Sequence, residues 1–377
     1  MIYFDNAATT FKKPATVINA TMYALTKLSA NPGRGSHKLS IAAAEQIYNT
    51  RKAVSELFNA NSENVIFTSG CTHSINTVLK GVLNEGDHIV ISSLEHNAVL
   101  RPLTAMKADY TTAKVSLLDD DETVSNFEKA IKPNTKMIFC TAASNVTGKI
   151  LPIEKIALLC KKRGLLFGLD AAQGAGVISI DMEKMGIDYL CIAPHKGLYA
   201  PMGVGILIAR APIKKTLIEG GTGSNSLSEI QPISFPDGFE SGTPNLSGII
   251  GTLKGVEFVK NRGIDEIYNH EIKLTQYVYK HLQKNPSVIL YTPFPQKDMY
   301  VGVLPFNIKG KSSEETALYL NENGIAVRGG YHCAPLAHRQ LNTLDIGAVR
   351  LSFSRFNSYF EADKLFGVLE RKNIKNI

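Results

Sequence analysis

The spacing of apolar residues between positions 40 and 68 predicts a helix followed by a buried strand. From 40 to 57, apolar side chains recur at roughly the helical period, at Ile41, Ala44, Ile47, Tyr48, Val54 and Leu57. The next run, 64–68, is short and mostly apolar, which is typical of a buried strand. A helix that leads into a strand is the first unit of an α/β pattern.

Further short apolar runs predict strands that alternate with helices. The predicted strands are 88–92, 135–140, 165–169, 189–192 and 203–208. Helical stretches such as Ile153–Arg163 lie between most of them. This alternation indicates an α/β fold with a mostly parallel sheet that is covered by helices on both faces.

Glycine and polar residues stand where these predicted strands end. Gly70, His96, Asn145, Asp170 and Lys196 each lie at the end of a strand or just after it. In sheets of this class, ligands bind beyond the carboxyl ends of the strands. We therefore expect these five residues to converge at one edge of the sheet.

The C-terminal part of the chain predicts a second, smaller group of strands. A long helix around 248–259 leads to apolar runs at 288–291, 301–307 and 348–353. At 377 residues, with 44% hydrophobic and 20% charged residues, the chain can bury a sizeable core but is too long for one small domain. We expect one large and one smaller domain.

Charge and cysteine usage narrow the class of protein. The net charge of +7 comes from 41 basic and 34 acidic residues without a dense basic block, so we expect neither nucleic acid nor membrane as a partner. The five cysteines form no CxxC or CxxH pair, which fits a reducing cytoplasm and gives no reason to expect a metal ion. The N-terminus does not resemble a signal peptide, and no apolar run is long enough to cross a bilayer. A soluble, cytoplasmic protein is expected.

Lys196 and Asp170 are the most informative pair in the sequence. A lysine amine at the end of a buried strand can form a Schiff base with an aldehyde cofactor, and a carboxylate on an upstream strand can keep a pyridine nitrogen protonated. Pyridoxal phosphate needs both groups. Taken alone, such a pair is more often two solvated charges.

The segment 68–76 could hold the phosphate of that cofactor. Gly70 makes a turn between a strand and a helix, so free backbone N–H groups, the Thr72 hydroxyl and the helix dipole could face an anion. The alternative is an ordinary capped helix. His96, just past a strand, could stack on a pyridine ring and move protons, or could be a solvated loop histidine.

Four further side chains could contact the cofactor. The amides of Asn145 and Gln173 could donate to its phenolic oxygen, or could be turn and cap residues. His195 could reach the phosphate. Thr243, in the polar turn 240–245, could do the same, although an isolated turn has little specificity.

Cys333 differs from the other cysteines because glycine and proline bound its loop. Exposure favours a reactive thiol, and the nearby Arg328 and His332 could lower its pKa and make the thiolate a nucleophile. A partly buried structural role suits the cysteines in apolar runs, which are Cys140, Cys160 and Cys191.

Arg350 is a charge on a strand of otherwise apolar residues. Burying a guanidinium is costly unless it meets an anion. A substrate carboxylate, bound bidentately, is the natural partner. A structural salt bridge to Asp or Glu is the alternative.

Together these residues resemble the cysteine desulfurase and selenocysteine lyase family, in the class V aminotransferase group of fold type I pyridoxal phosphate enzymes. The resemblance runs nearly end to end. Ten motifs in the same order carry it: Tyr3-Phe-Asp-Asn-Ala-Ala-Thr-Thr10, Arg34-Gly-Ser-His37, Ser69-Gly-Cys-Thr72, Glu95-His96, Ser144-Asn145, Asp170-Ala-Ala-Gln173, His195-Lys196, Glu240-Ser-Gly-Thr-Pro-Asn245, Arg328-Gly-Gly-Tyr-His-Cys333 and Arg350-Leu-Ser-Phe-Ser-Arg-Phe-Asn357.

The resemblance implies a fold and an assembly. The large cofactor-binding domain, 15–255, would contain a mostly parallel sheet of the seven-stranded type covered by helices. Residues 1–14 and 256–377 would form a smaller α+β domain that carries the cysteine loop. Family members are homodimers with the active site at the interface, so we expect the same here.

The resemblance also implies roles for individual residues. Lys196 would be the Schiff-base lysine, Asp170 would contact the pyridine nitrogen and His96 would stack on the ring. The whole cofactor set would be Cys71, Thr72, His96, Asn145, Asp170, Gln173, His195 and Lys196, with Thr243 reaching over from the partner subunit. The substrate set would be Ala7, Asn145, Arg328 and Arg350. Lys196, Cys333 and His96 would be catalytic.

The implied reaction is desulfuration of L-cysteine to L-alanine. Cys333 would attack the substrate sulfur and keep it as a persulfide for transfer to an acceptor protein. The short cysteine loop resembles the branch of the family that passes sulfur to a dedicated acceptor, some members of which act on selenocysteine. Other readings are an aminotransferase, a racemase or a β-eliminating C–S lyase on the same fold, or a non-enzymatic sulfur carrier.

Three departures from the family pattern indicate a divergent branch. Ala193-Pro194 stands where the family usually has Ser or Thr followed by Gly, so one phosphate hydroxyl is absent. An extra Gly197 follows Lys196, and Cys71 stands where the family more often has Thr or Ala. We expect these changes to affect the affinity for the cofactor.

Overall fold

A seven-stranded sheet forms the centre of the molecule, and a three-stranded sheet and a two-stranded pair lie outside it. The computed structural model describes residues 1–33, 35–224 and 226–370. The strands in chain order are β1 (Ile2–Tyr3), β2 (Val65–Thr68), β3 (His88–Ser92), β4 (Asp109–Ala113), β5 (Thr135–Thr141), β6 (Leu166–Asp170), β7 (Tyr189–Ile192), β8 (Gly205–Ala209), β9 (Val288–Leu290), β10 (Val303–Ile308), β11 (Ile325–Ala326) and β12 (Val349–Ser352).

Helices cover the sheets and connect most of their strands. In chain order they are α1 (Ala15–Lys27), α2 (Lys38–Leu57), α3 (Cys71–Val82), α4 (Asn97–Ala105), α5 (Asp120–Lys129), α6 (Ile153–Arg163), α7 (Met182–Met185), α8 (Leu246–Arg262), α9 (Ile264–Leu282), α10 (Ser313–Glu322), α11 (Pro335–Gln340) and α12 (Tyr359–Leu369). None of the helices within the described residues is long and apolar enough to cross a membrane.

The central sheet has the order β2-β8-β7-β6-β5-β3-β4. Strand β8 runs antiparallel to both of its neighbours, and all other pairs are parallel. Every residue of β2, β3, β7 and β8 is buried, as expected for strands that helices cover on both faces. The prediction of a mostly parallel, seven-stranded α/β sheet is confirmed.

Two local predictions were incomplete. Strand β4 was missed because its sequence, Asp-Tyr-Thr-Thr-Ala, is polar, which an edge strand tolerates because one side of it faces solvent. In α2, Ile47 and Val54 are buried as predicted, but Ile41 and Tyr48 are 58% and 59% exposed. The apolar stripe predicted for α2 is therefore wider than the face of the helix that is buried within the chain.

The N-terminal residues are joined to the C-terminal strands. Strand β1 pairs in parallel with β11, while β9, β10 and β12 form an antiparallel sheet. A bridge between Asp5 and Ser352 continues this connection and brings the segment 5–7 beside β12. The domain boundary at residue 255 stays a prediction.

Candidate active site

A cavity of about 190 Å³ lies at the carboxyl ends of β3, β5, β6 and β7. Its walls contain all five residues that were expected to converge there, namely Gly70, His96, Asn145, Asp170 and Lys196. Other predicted cofactor contacts in its lining are Cys71, Thr72, Gln173 and His195. Residues from distant parts of the chain meet there because parallel strands end on the same side of the sheet.

Lys196 and Asp170 lie on neighbouring strand ends in this cavity. Burial lowers the pKa of Lys196 below that of a free lysine, while the charge of Asp170 opposes the shift. A lowered pKa makes the neutral, nucleophilic amine easier to form. Asp170 ends β6, is buried and accepts a hydrogen bond from the Ala172 N–H on Oδ1 at 2.9 Å.

Cys71 contacts the same oxygen of Asp170. Its Sγ lies 3.6 Å from Oδ1, and burial, followed by the nearby carboxylate, raises the pKa of the thiol well above its ordinary value. The thiol therefore stays protonated and donates a weak hydrogen bond. The Ala172 N–H and the Cys71 thiol both donate to Oδ1, and these two bonds fix Asp170 in the cavity. Neither of them involves Oδ2.

The wall formed by the start of α3 suits a phosphate. Gly70 precedes α3 without a side-chain cap, and the first backbone N–H groups of a helix lack intrahelical acceptors. Strand β8 packs closely against this turn: a Cβ added to Gly205 would lie 2.2 Å from the carbonyl carbon of Gly70. Thr72 adds a hydroxyl to the cavity wall.

His195 and Ala193 complete that wall. The Nδ1 atom of His195 is buried and has no hydrogen-bond partner among the described residues. Because buried polar atoms normally have a partner, this atom is a candidate to bind a ligand. Burial lowers the pKa of His195 to about 4, so the ring is neutral near pH 7. Ala193 supplies no hydroxyl, as the departure from the family pattern indicated.

Lys13 is a basic residue at this site that the sequence did not single out. Its Nζ donates to Thr10 Oγ1 at 2.7 Å and to the His195 carbonyl at 3.0 Å, and burial lowers its pKa to about 8. No local signal distinguishes it from neighbouring Lys12. Only the fold brings residues 13 and 195 together.

His96 is held in one tautomer by its position at the start of α4. Its Nδ1 accepts the Ala98 N–H at 3.0 Å, so a neutral ring carries its proton on Nε2. Burial lowers its pKa, with Asp170 opposing the shift. The adjoining Glu95 is fully buried, accepts hydrogen bonds from Ser92 and Thr141, and has its pKa raised by burial to about 8.

The two amides expected near the cofactor each donate to a backbone carbonyl. Asn145 Nδ2 donates to His332 O at 2.7 Å, and Gln173 Nε2 donates to Ala7 O at 2.9 Å. Each amide group has a second N–H that remains for a ligand. Ala7 lines a smaller neighbouring cavity of about 30 Å³ that Gln173 and Lys196 share.

Arg350 is 1% exposed and forms the salt bridge that was the alternative to a substrate role. Its Nη2 donates to Asp5 Oδ1 at 2.6 Å and its Nη1 donates to Asn145 O at 3.0 Å. Its Nε is buried without a partner among the described residues, so one donor is left over. The expected contact with a substrate carboxylate stays a prediction.

Cys333 lies in a partly exposed turn beside the cavity. Its carbonyl accepts the Asn97 N–H at 2.7 Å, which ties the turn to the start of α4 next to His96. His332 carries no positive charge that could act on the thiol. Burial lowers the pKa of His332 itself to about 2, so the ring is uncharged.

Five predicted site residues are not among those that line the cavity, namely Ala7, Arg328, Thr243, Cys333 and Arg350. Arg328 pairs with Arg350 through the backbone, and its charge contributes to the lowered pKa of Lys196. Thr243 lines a separate cavity of about 270 Å³ together with Ser69 and His73. Its predicted contact is with the cofactor of a partner subunit and stays a prediction. Arg34 of the second family motif lies outside the described residues.

The comparisons with known proteins agree with this geometry. The model of the family described as "Aminotransferase class-V" matches residues 2–365. A relative named "Probable cysteine desulfurase" from Borreliella burgdorferi is 35% identical, over 96% of this chain and 89% of its own length. Another with the same name, from Pyrococcus abyssi, is 32% identical over 98% of this chain and 94% of its own length.

Solved structures show the same similarity. The apo structure of a cysteine desulfurase from Thermococcus onnurineus superposes with a TM-score of 0.88 at 32% identity, covering 100% of this chain and 95% of that one. The cysteine desulfurase CsdA of Escherichia coli, in its S-sulfonic acid form, gives a TM-score of 0.86 at 27% identity, covering 98% of this chain and 94% of that one.

Proposed function

The chain belongs to the class-V aminotransferase family, in its cysteine desulfurase group, and from this premise we propose that it removes sulfur from L-cysteine, releases L-alanine and keeps the sulfur as a persulfide on Cys333. Enzymes of this family depend on pyridoxal 5′-phosphate. One observation carries the proposal: the turn that holds Cys333 is hydrogen bonded to Asn145 and Asn97 at a cavity that contains both Lys196 and Asp170.

The residues present fit the cofactor. The start of α3 and Thr72 suit its phosphate, as does the Nδ1 atom of His195, which has no partner in the part of the chain that the structure describes. Asp170 suits its pyridine nitrogen. The buried amine of Lys196 suits its aldehyde. When bound, the cofactor supplies an electron sink for electrons released at the α-carbon of the amino acid.

The chain's own residues would then divide the work. Arg350, assisted by Asn145, would orient the substrate carboxylate. Lys196 and the Nε2–H of His96 would hold and move protons near the substrate, since both line the cavity. Ala7, which lines the smaller cavity with Lys196, and Arg328, whose backbone pairs with Arg350, would also contact the substrate.

Cys333 would take the sulfur. Its thiolate attacks the substrate sulfur, so an S–S bond forms while the Cβ–S bond breaks and its electron pair goes to carbon. Protonation of that carbon yields alanine. Cys333 and the transferred sulfur together are oxidised to the persulfide level, and carbon is correspondingly reduced.

A homodimer is the assembly that this proposal requires. Both α1 and α2 carry exposed apolar side chains, namely Ile18, Met22, Tyr23, Leu25, Leu39, Ile41 and Tyr48. Exposed apolar side chains on two helices favour burial against a second copy. Thr243 would then reach the partner's cofactor. Sedimentation of the wild type and of Met22→Glu tests the idea: the wild type should be dimeric, and the variant should dissociate and bind the cofactor more weakly.

The persulfide needs an acceptor. A cytoplasmic acceptor protein would receive the sulfur, since a persulfide on a partly exposed turn is open to attack by another thiol. L-Selenocysteine is the alternative substrate, because the same thiolate would attack selenium in the same way.

Product analysis tests the reaction. The cofactor-loaded protein is incubated with L-cysteine and a reductant, and alanine, pyruvate and sulfide are quantified together. Matched alanine and sulfide support desulfuration, whereas pyruvate with sulfide means β-elimination. Cys333→Ala should keep the yellow cofactor and lose persulfide and alanine. Cys160→Ala, a buried cysteine on α6 outside the cavity lining, serves as the control and should retain both products.

A further inference from the structure

The turn that carries Cys333 has an unusual backbone. Ala334 N donates to Tyr331 O at 2.9 Å and closes the turn, while the two central residues, His332 and Cys333, have φ values of +50° and +56°. Turns with two positive φ values are normally built from Gly, Asn or Asp, because other side chains are strained there. Such strain persists only where the surroundings impose it.

Three hydrogen bonds between the turn and its surroundings impose this conformation. The His332 side chain contacts the Ala348 carbonyl through Nε2 at 2.9 Å. Asn145 Nδ2 donates to the His332 carbonyl, and the Asn97 N–H donates to the Cys333 carbonyl, each at 2.7 Å. Only the first of these depends on a side chain of the turn itself.

His332 makes this contact as a neutral ring. It is 2% exposed, and contact with a carbonyl oxygen places its proton on Nε2. The charged or titratable groups that act on it are Arg350 from β12, Arg328 from the preceding loop and His338 from α11, and all three disfavour protonation. The ring therefore serves as a fixed donor and not as a source of charge.

We propose that His332 is a positioning residue for sulfur transfer: its anchor on Ala348 keeps the strained turn in the conformation that holds the Cys333 thiol at the cavity. The role rests on the proposed desulfuration. The anchor depends on the Nε2–H donor of the ring. Without that donor the Ala348 carbonyl loses its partner and the turn can relax. A relaxed turn exposes the thiol to solvent but misplaces it for attack on bound cysteine.

His332→Asn tests the role without imposing new strain. Asparagine tolerates positive φ but is too short to replace the imidazole contact. We expect a modest loss of thermal stability from the unpaired Ala348 carbonyl. We also expect alkylation of Cys333 by iodoacetamide faster by several-fold, and persulfide formation in a single turnover slower by about 10- to 100-fold. The KM for L-cysteine should change much less than kcat.

The control is His88→Asn. His88 is a buried histidine at the start of β3, contacts Thr111 and Thr135, and lies at the opposite end of the strand from the cavity. It should leave both Cys333 rates unchanged. His332→Gly, which also relieves strain and lacks the anchor, should behave like His332→Asn.

The pH dependence of alkylation separates positioning from charge. If His332 acts as a neutral anchor, the midpoint of the alkylation curve is the same in the wild type and in His332→Asn. A raised midpoint in the variant, or persulfide formation at the wild-type rate, overturns the proposal. If the wild type itself forms no alanine from cysteine, the proposed function fails, while the alkylation rates still decide whether His332 holds the turn.

Discussion

Replacing Arg350 by Gln separates the structural role of this residue from its predicted role in binding. Arg350 is buried and pairs with Asp5, whose side chain is 19% exposed. Removing one partner of a buried ion pair typically costs about 3–5 kcal/mol, because the other charge is left uncompensated. Since Asp5 keeps some contact with water, we expect Arg350→Gln to lower the free energy of unfolding by about 3 kcal/mol, at the lower end of that range.

The effect on catalysis should be larger and of different origin. A carboxylate bound by a guanidinium accepts two charge-assisted hydrogen bonds of about 1.5–3 kcal/mol each. Losing both corresponds to a fall in kcat/KM for L-cysteine of roughly 10²- to 10⁴-fold. The buried Nε of Arg350 has no partner among the described residues, and this observation favours such a ligand.

A double-mutant cycle with Asp5→Asn distinguishes the two effects. Unfolding in urea and kcat/KM for L-cysteine are measured for the wild type, both single variants and the double variant. The double variant removes both charges, so we expect it to recover most of the lost stability, to within about 1 kcal/mol of the wild type. Its kcat/KM should stay as low as that of Arg350→Gln. Recovery of activity together with stability would show that Arg350 is only a structural partner of Asp5.

Three further predictions concern other residues around the site. Glu271 lines the small cavity that Lys196 shares, and burial raises its pKa from 4.5 to about 8. The folded state therefore keeps a proton that the unfolded state releases, and the free energy of unfolding falls as pH rises between these values. Urea unfolding at pH 5 and pH 8 should show a smaller fall for Glu271→Gln than for the wild type. A Cβ at Gly197 would lie 2.3 Å from Ala175 O. Gly197→Ala should therefore lower the free energy of unfolding in urea by about 1–3 kcal/mol and alter the absorption of the bound cofactor, and an unchanged urea midpoint refutes this. Cys71→Ala removes a donor from Asp170 and should weaken cofactor affinity by roughly 2- to 10-fold in a fluorescence titration, whereas unchanged affinity would mean that the thiol does not help to hold the carboxylate.

Much of the fold could be predicted because burial leaves a local pattern. Strands covered on both faces appear as short apolar runs, and β3 and β7 begin and end where those runs do. Strand β4 was not predicted, because an edge strand does not need apolar residues on both faces and so leaves no apolar run in the sequence. The exposed Ile41 and Tyr48 on α2 show the converse, since periodicity marks an apolar face without saying what covers it.

The sequence by itself determined where most strands of the central sheet lie along the chain and which candidate site residues follow them, such as Asp170 and Lys196. It did so because those positions follow from local spacing. Only the tertiary structure decided that Asp5 pairs with Arg350, 345 residues away, and that His332 is a buried neutral anchor. The burial that changes the pKa of a side chain, and the partner that it meets, depend on contacts between distant segments, which periodicity does not encode.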